Sequence, residues 1–196
     1  MPPKVKVSRE KIVDAALAIV REYGIDALNA RAVALRLSCS TQPVFSNYPS
    51  MAELKTDLKH TAYALFCDSI ARVINEGKYP IYKSSGMGYI TFAKQEKELF
   101  KLLFMSEIDA SQEQLTDFGV TIKYVAEKLG ISDDDAKLFH CEMWMCVHGM
   151  ASLVATSKDD ISEELCSEML TDIYNGLILR FSEKSKKNKV SCEDKK

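Results

Sequence analysis

Between residues 9 and 23 apolar side chains recur three and four apart, at Ile12, Ala16, Ile19, Val20 and Tyr23. That period predicts a helix with one buried face, with Ser8 as its N-cap and Gly24 as its C-cap. Ile25, Ala27 and Leu28 lead into a second, shorter pattern. Asn29 is suited to cap a helix, because its side-chain oxygen can accept from the free N–H groups of the first turn. Val33, Ala34 and Leu37 then give a narrow apolar stripe, which Ser38, Cys39 and Ser40 break. Ser40 or Thr41 can cap a third helix running to Asn47. That helix buries Val44 and Tyr48 and leaves Thr41, Gln42, Ser46 and Asn47 outward. Pro43 falls in its first turn, where a missing N–H costs nothing. Two short helices across a tight turn make a helix-turn-helix, whose second helix enters the DNA major groove.

Pro49 stops the third helix, and Ser50 with Glu53 forms a capping box for the next. This fourth helix is long, to about Asn75, through Leu54, Leu58, Thr61, Leu65, Ile70, Val73 and Ile74. Gly77 and Pro80 end it. Two helices are expected from Ser84 to about Glu107, with a break near Lys94–Lys97. Another runs from Gln112 to Leu129 and is closed by Gly130. Ser132 caps an acidic first turn, Asp133–Asp135, on a helix continuing to about Ala155, and a last long helix spans about Ser162 to Phe181. No segment alternates as a strand would. The expected fold is all-α with about nine helices. A three-helix head in residues 1–49 is joined by the long fourth helix to a helical body in 50–183, and a lysine-dense tail, 184–196, is expected to be disordered.

Composition changes this picture little: 46% hydrophobic and 28% charged residues are ordinary for a globular chain of 196 residues. The net charge of −2 hides an asymmetry. Residues 1–50 carry seven Lys/Arg against four acids, whereas the remainder is net −5. A basic head on an acidic body fits a nucleic-acid contact confined to one end. Residues 1–7 form a short basic arm. The N-terminus lacks an apolar signal core and no run approaches 18 apolar residues, so a cytoplasmic protein without membrane insertion is expected. Six cysteines show neither a CxxC pair nor ligand-like spacing, in keeping with reduced thiols.

The order of Ser8–Tyr23, then Ala34-x-x-Leu37, then SCSTQPVFSNYPSMAEL resembles the TetR/AcrR family of transcription regulators, over roughly the first quarter of the chain. Phe45, Ser46, Asn47 and Tyr48 stand where the family ends its recognition helix with an aromatic, a variable residue, a polar residue and an aromatic. There are departures. The family's turn glycine is Ser38, its usual recognition-helix tyrosine is Phe45, and the lysine that commonly opens the fourth helix is Met51. In the body, MWMCVHGMASLVA resembles the tryptophan-histidine-glycine group of TetR-type C-terminal domains, at Trp144, His148 and Gly149. The resemblance implies a homodimer through the last two long helices. It also implies an effector pocket in the body, whose ligand tilts the fourth helix and moves the two heads apart.

For DNA, Thr41 and Gln42 are the expected base readers, glutamine pairing two-pronged with adenine and the threonine methyl meeting thymine. Ser40 adds a small polar donor, Phe45 a contact to sugar or a thymine methyl, and Asn47 a phosphate contact. Asn29, Arg31 and Arg36 are expected to hold backbone phosphates. For a small, largely apolar effector the expected lining is Tyr63, Phe66, Tyr89, Phe92, Phe104, Met105, Tyr124, Trp144 and His148, with Phe100 and Phe118. Aromatics at helical spacing are also what a plain core uses.

His140, Cys141 and His148 lie at helical spacing, but no carboxylate sits at ligand distance in sequence, so no metal is expected. Nothing marks a cysteine as a redox sensor. There is no nucleophile elbow, phosphate-cradling glycine loop or clustered carboxylate pair, so neither an enzyme nor a cofactor is expected. The competing reading is a dimeric helical adaptor that has lost specific DNA binding, with Ser38, Phe45 and Met51 as its evidence. The expectation is a homodimeric, ligand-responsive repressor. It would place two recognition helices roughly 34–36 Å apart on a near-palindromic operator.

Overall fold

A computed structural model describes residues 7–105 and 119–193, with side chains as far as residue 184. Residues 1–6 of the basic arm, the start of the helix expected from Gln112 (with Leu115 and Phe118), and residues 194–196 lie outside the described residues. Among the described residues the chain is helical throughout. Its helices are α1 Arg9–Tyr23, α2 Ala30–Arg36, α3 Gln42–Asn47, α4 Met51–Asn75, α5 Ile81–Gln95, α6 Lys97–Phe104, α7 Gly119–Leu129, α8 Asp133–Thr156 and α9 Glu163–Glu193. A 3₁₀ turn, Ile25–Ala27, links α1 to α2. None of these helices is long and apolar enough to cross a membrane.

Local chemistry sets most of the boundaries. Ser8, Asn29, Ser50 and Ser132 each accept from a first-turn backbone N–H at the start of α1, α2, α4 and α8. Gly24, Gly77 and Gly130 take positive φ where α1, α4 and α7 end. The break between α5 and α6 falls at Glu96, inside the stretch where the pattern placed it. Two readings are corrected. Tyr23, counted on the apolar stripe of α1, faces solvent with its hydroxyl bonded to Glu22. The last helix does not stop near Phe181 but continues to Glu193, through most of the segment expected as a disordered tail. Glu, Lys and Ser tolerate helix well, and extending an existing helix avoids the cost of nucleating one.

Helices α1, α2 and α3 form a small head around Ile12, Ala16, Val20, Val33, Val44 and Tyr48, all deeply buried. The head packs on the body through α1, which touches both α4 and α6. In the body α5 is the central helix, with α4, α6, α8 and α9 around it. Its glycines make that possible. A Cβ at Gly88 would stand 2.7 Å from the Cα of Ile70 on α4, and one at Gly86 would stand 3.2 Å from Val147 on α8. The Ser69 hydroxyl donates to the Gly88 carbonyl at 3.4 Å across the same contact.

Gly88→Ala therefore forces α4 and α5 apart, because the clash is with backbone that cannot rotate away. Overpacking at about 1–3 kcal/mol outweighs the better helix propensity of alanine, worth about 0.5–1 kcal/mol. The expected result is a lower urea midpoint; an unchanged or higher one would contradict this account of the contact.

Candidate functional site

Helix α3 has six residues and cannot be stable by itself, so its pose is set by what anchors it. Val44 and Tyr48 are driven into the head core, at 0% and 1% exposure. The Tyr48 hydroxyl donates to Asp57 on α4 at 2.8 Å, and the Arg9 guanidinium lies 4.2 Å from the centre of the Tyr48 ring. Arg9 closes the set with a 2.7 Å ion pair to the same Asp57 oxygen. Arg9 and then the Tyr48 hydroxyl hold the Asp57 carboxyl below its ordinary range, so it stays charged. Three helices thus meet at one aromatic ring.

With those residues turned in, Ser40, Gln42, Phe45 and Ser46 are exposed and Thr41 is half-buried. The Gln42 side chain makes no bond to a described residue, while its carbonyl accepts from the Ser46 hydroxyl at 2.8 Å. No side chain caps α3, so neither Ser40 nor Thr41 is tied to its first turn as the sequence had suggested. Other expected contacts are less available. Asn47 is turned inward, its amide donating to Pro43 O at 2.8 Å and to Val7 O at 3.2 Å. A phosphate contact by that side chain requires breaking this tether of the chain entering α1. Asn29 is committed to its cap, accepting from Ala32 N at 2.9 Å and donating to Ala27 O at 3.2 Å. Arg36 pairs with Glu22 at 3.1 Å, whereas Arg31 is exposed with no such partner among the described residues. Lys55, exposed one turn beyond Met51 on α4, is a cation that the sequence reading passed over; helical periodicity alone puts it on the face of Met51.

The body holds two separate aromatic clusters. The larger draws in Tyr63 and Phe66 of α4, Tyr89 and Phe92 of α5, Phe100 and Phe104 of α6, and His148 of α8, with neighbouring ring centres 4.9–6.2 Å apart. Trp144 stacks on His148 at 5.2 Å and 14°. The Tyr89 hydroxyl and His148 Nδ1 share a 3.0 Å hydrogen bond. Burial pushes the Tyr89 hydroxyl pKa up and that of His148 down, so both are neutral near pH 7. Two expected lining residues lie apart from this cluster. Met105 is exposed at the end of α6. Tyr124 stacks on Tyr82 in the second cluster, with Phe139, His140 and Tyr174.

No protein-family model matches the sequence, and no curated protein sequence matches it. Solved structures do. One is a TetR-like transcriptional regulator from Rhodococcus sp. RHA1, at a TM-score of 0.64 and 17% identity over 89% of this chain and 96% of the other. Another is the multidrug binding protein EbrR complexed with malachite green, at 0.59 and 16%, over 87% and 98%. The chain has the fold of the TetR-like regulators.

The turn between α2 and α3 carries Ser38, where the resemblance leads one to expect glycine. Ser38 takes φ 51°, and the chain reverses through bonds from Ser38 N to Leu35 O and from Cys39 N to Ala34 O. These two bonds form a Schellman C-cap, which places an αL residue at the position of Ser38. The turn forms with a serine in the left-handed region, and that serine bears the strain. Ser38→Gly should relieve it and raise stability by about 0.5–1 kcal/mol, read as a higher melting temperature. A drop on substitution would mean that the serine side chain is doing something the backbone geometry does not reveal.

Proposed function

We propose that the protein is a homodimeric, effector-responsive transcription regulator that reads DNA with α3, most simply as a repressor. The observation that carries the reading is the pose of α3. Val44 and Tyr48 are locked into the head, while Thr41, Gln42 and Phe45 are left along one outward edge. Gln42 reads a base edge, Thr41 and Phe45 meet thymine methyls or sugars, and Arg31 with Lys55 holds phosphate. The TetR-like fold supports the class, and EbrR, which shares that fold, is a multidrug binding protein complexed with malachite green. The larger aromatic cluster is the effector site in this reading. The Trp144, His148 and Gly149 pattern allies the body with the tryptophan-histidine-glycine group.

The dimer surface is the outer face of α8 and α9. Leu138, Met145 and Leu153 on α8, and Leu165, Met169 and Leu179 on α9, are large apolar residues left in solvent at helical spacing. Gly149 and Gly176 fall within those stripes with open space in front of them, which lets a partner helix come close. Leu177, by contrast, packs half-buried against the protein's own core. Apolar stripes of this length on adjacent helices are what a four-helix dimer interface uses. Sequence-specific binding, an effector site and a dimer face together make a non-enzymatic switch, acting by differential affinity for two dimer spacings.

On DNA fragments selected for binding, Gln42→Ala should flatten the preference at one base-pair position by about 1–3 kcal/mol, leaving the others intact. Arg31→Ala should weaken all sequences alike and reduce the salt slope by about one. An unchanged sequence preference in Gln42→Ala would remove the base-reading role. Met169→Glu should shift the protein to a monomer in analytical ultracentrifugation, and a persisting dimer would move the interface elsewhere.

A further inference from the structure

The outward side of α3 offers a particular set of hydrogen-bonding atoms. Gln42, Phe45 and Ser46 lie three and four residues apart, so they share one face of the helix, and all three are exposed. The single hydroxyl hydrogen of Ser46 is spent on Gln42 O at 2.8 Å. Both amide hydrogens of Asn47 are spent too, on Pro43 O at 2.8 Å and Val7 O at 3.2 Å. What these two residues have left to offer is acceptors. From Ser38 to Ser50 the sequence holds no Lys or Arg, the side chains whose donors suit the O6 and N7 acceptors of guanine. The Gln42 amide combines a donor group with an acceptor. Adenine presents the matching N7 acceptor and N6 donor, whereas guanine presents two acceptors and leaves the amide oxygen facing one of them. Phe45 keeps 50% of its surface in solvent and has no polar side-chain atom. The apolar feature it can meet in the major groove is the thymine methyl. Ser40 and Thr41 carry hydroxyls that serve any base and so do not choose.

We propose that α3 reads two adjacent A·T base pairs in the major groove, with Gln42 two-pronged on the adenine of one and the Phe45 ring against the thymine methyl of the next. Phe45 stands three residues beyond Gln42, about 4.5 Å along the helix axis, against about 3.4 Å for a base-pair step, so neighbouring pairs fall under the two side chains. The Ser46 oxygen, with its hydrogen committed, adds an acceptor that suits an adenine amino group and not a guanine edge. The assignment names the kind of DNA that the DNA-reading proposal above requires, and rests on that proposal.

Selection of bound duplexes from a random pool by the full-length protein gives the operator, and repeating it with Gln42→Ala marks the base pair that Gln42 reads. The expected result is A·T at that pair and at a neighbour. Two base analogues then remove single groups while Watson–Crick pairing is kept, with the selected duplex followed by fluorescence anisotropy. 7-Deazaadenine removes N7 at the first pair, and uracil in place of thymine removes the methyl at the second. Affinity should fall about fivefold and about fourfold respectively. The uracil loss should vanish in Phe45→Ala and the deazaadenine loss in Gln42→Ala, while each variant keeps the other loss. The analogue measurements on the unaltered protein stand whether or not a variant folds. G·C at either pair, an unchanged affinity for either analogue, or losses that persist in the matching folded variant would overturn the assignment and leave the regulator reading intact. No enriched sequence at all would overturn both.

Discussion

The Tyr48 ring is where the geometry of the head is decided. It ends α3, fills the head core, bonds Asp57 of α4 through its hydroxyl, and takes the Arg9 guanidinium of α1 on its face. A six-residue helix has no stability to contribute, so without this joint α3 has no fixed direction relative to the long helix that carries it. The joint is made of an ion pair and a cation–π contact at the surface around one deeply buried ring. Such polar contacts are individually weak; what they add is orientation, because they tie three helices to one point.

The head meets the body at a second place. Arg21, near the end of α1, makes a two-pronged pair with Glu96 at 2.8 and 2.6 Å, at the corner between α5 and α6. Gly24 sits beside it, with room for a Cβ limited by Glu98 at 3.1 Å. Helix α6 runs from that corner to Phe100 and Phe104 of the aromatic cluster. The head is therefore held by α4 on one side and the start of α6 on the other, and both helices contribute rings to the same cluster. A molecule that rearranged those rings would act on both supports at once, which is how a packed and bistable contact turns a small shift into a reorientation.

Much of this was legible in the sequence because local rules and global packing agree. Ser8, Asn29, Ser50 and Ser132 are caps whose chemistry is written in one or two residues, and each starts its helix where expected. Ser38 shows how the resemblance and the physics can be separated: the position needed an αL residue, and the chain supplies one at a cost. What could not be read was the competition for polar side chains. Asn47 looks like a DNA contact by position, yet its amide is consumed by backbone groups nearby, in part because the tertiary structure brings Val7 beside α3. The partition of aromatics into two clusters was hidden for the same reason. Tyr63 meets Phe66 one turn along its own helix, but Tyr124 reaches Tyr82 of α5 only through the tertiary packing of α7.

The central claim is that α3 is posed to read base sequence. Its most direct test is a fluorescence-anisotropy titration of the full-length protein with the DNA upstream of its own gene and with a scrambled duplex, at two salt concentrations. The account predicts a preference for the native fragment of about a thousandfold that persists at the higher salt, since base contacts are less screened than phosphate contacts. Equal, weak binding to both duplexes that vanishes with salt, repeated across a genome-wide selection of bound fragments, would contradict it and leave a helical protein that has given up specific DNA.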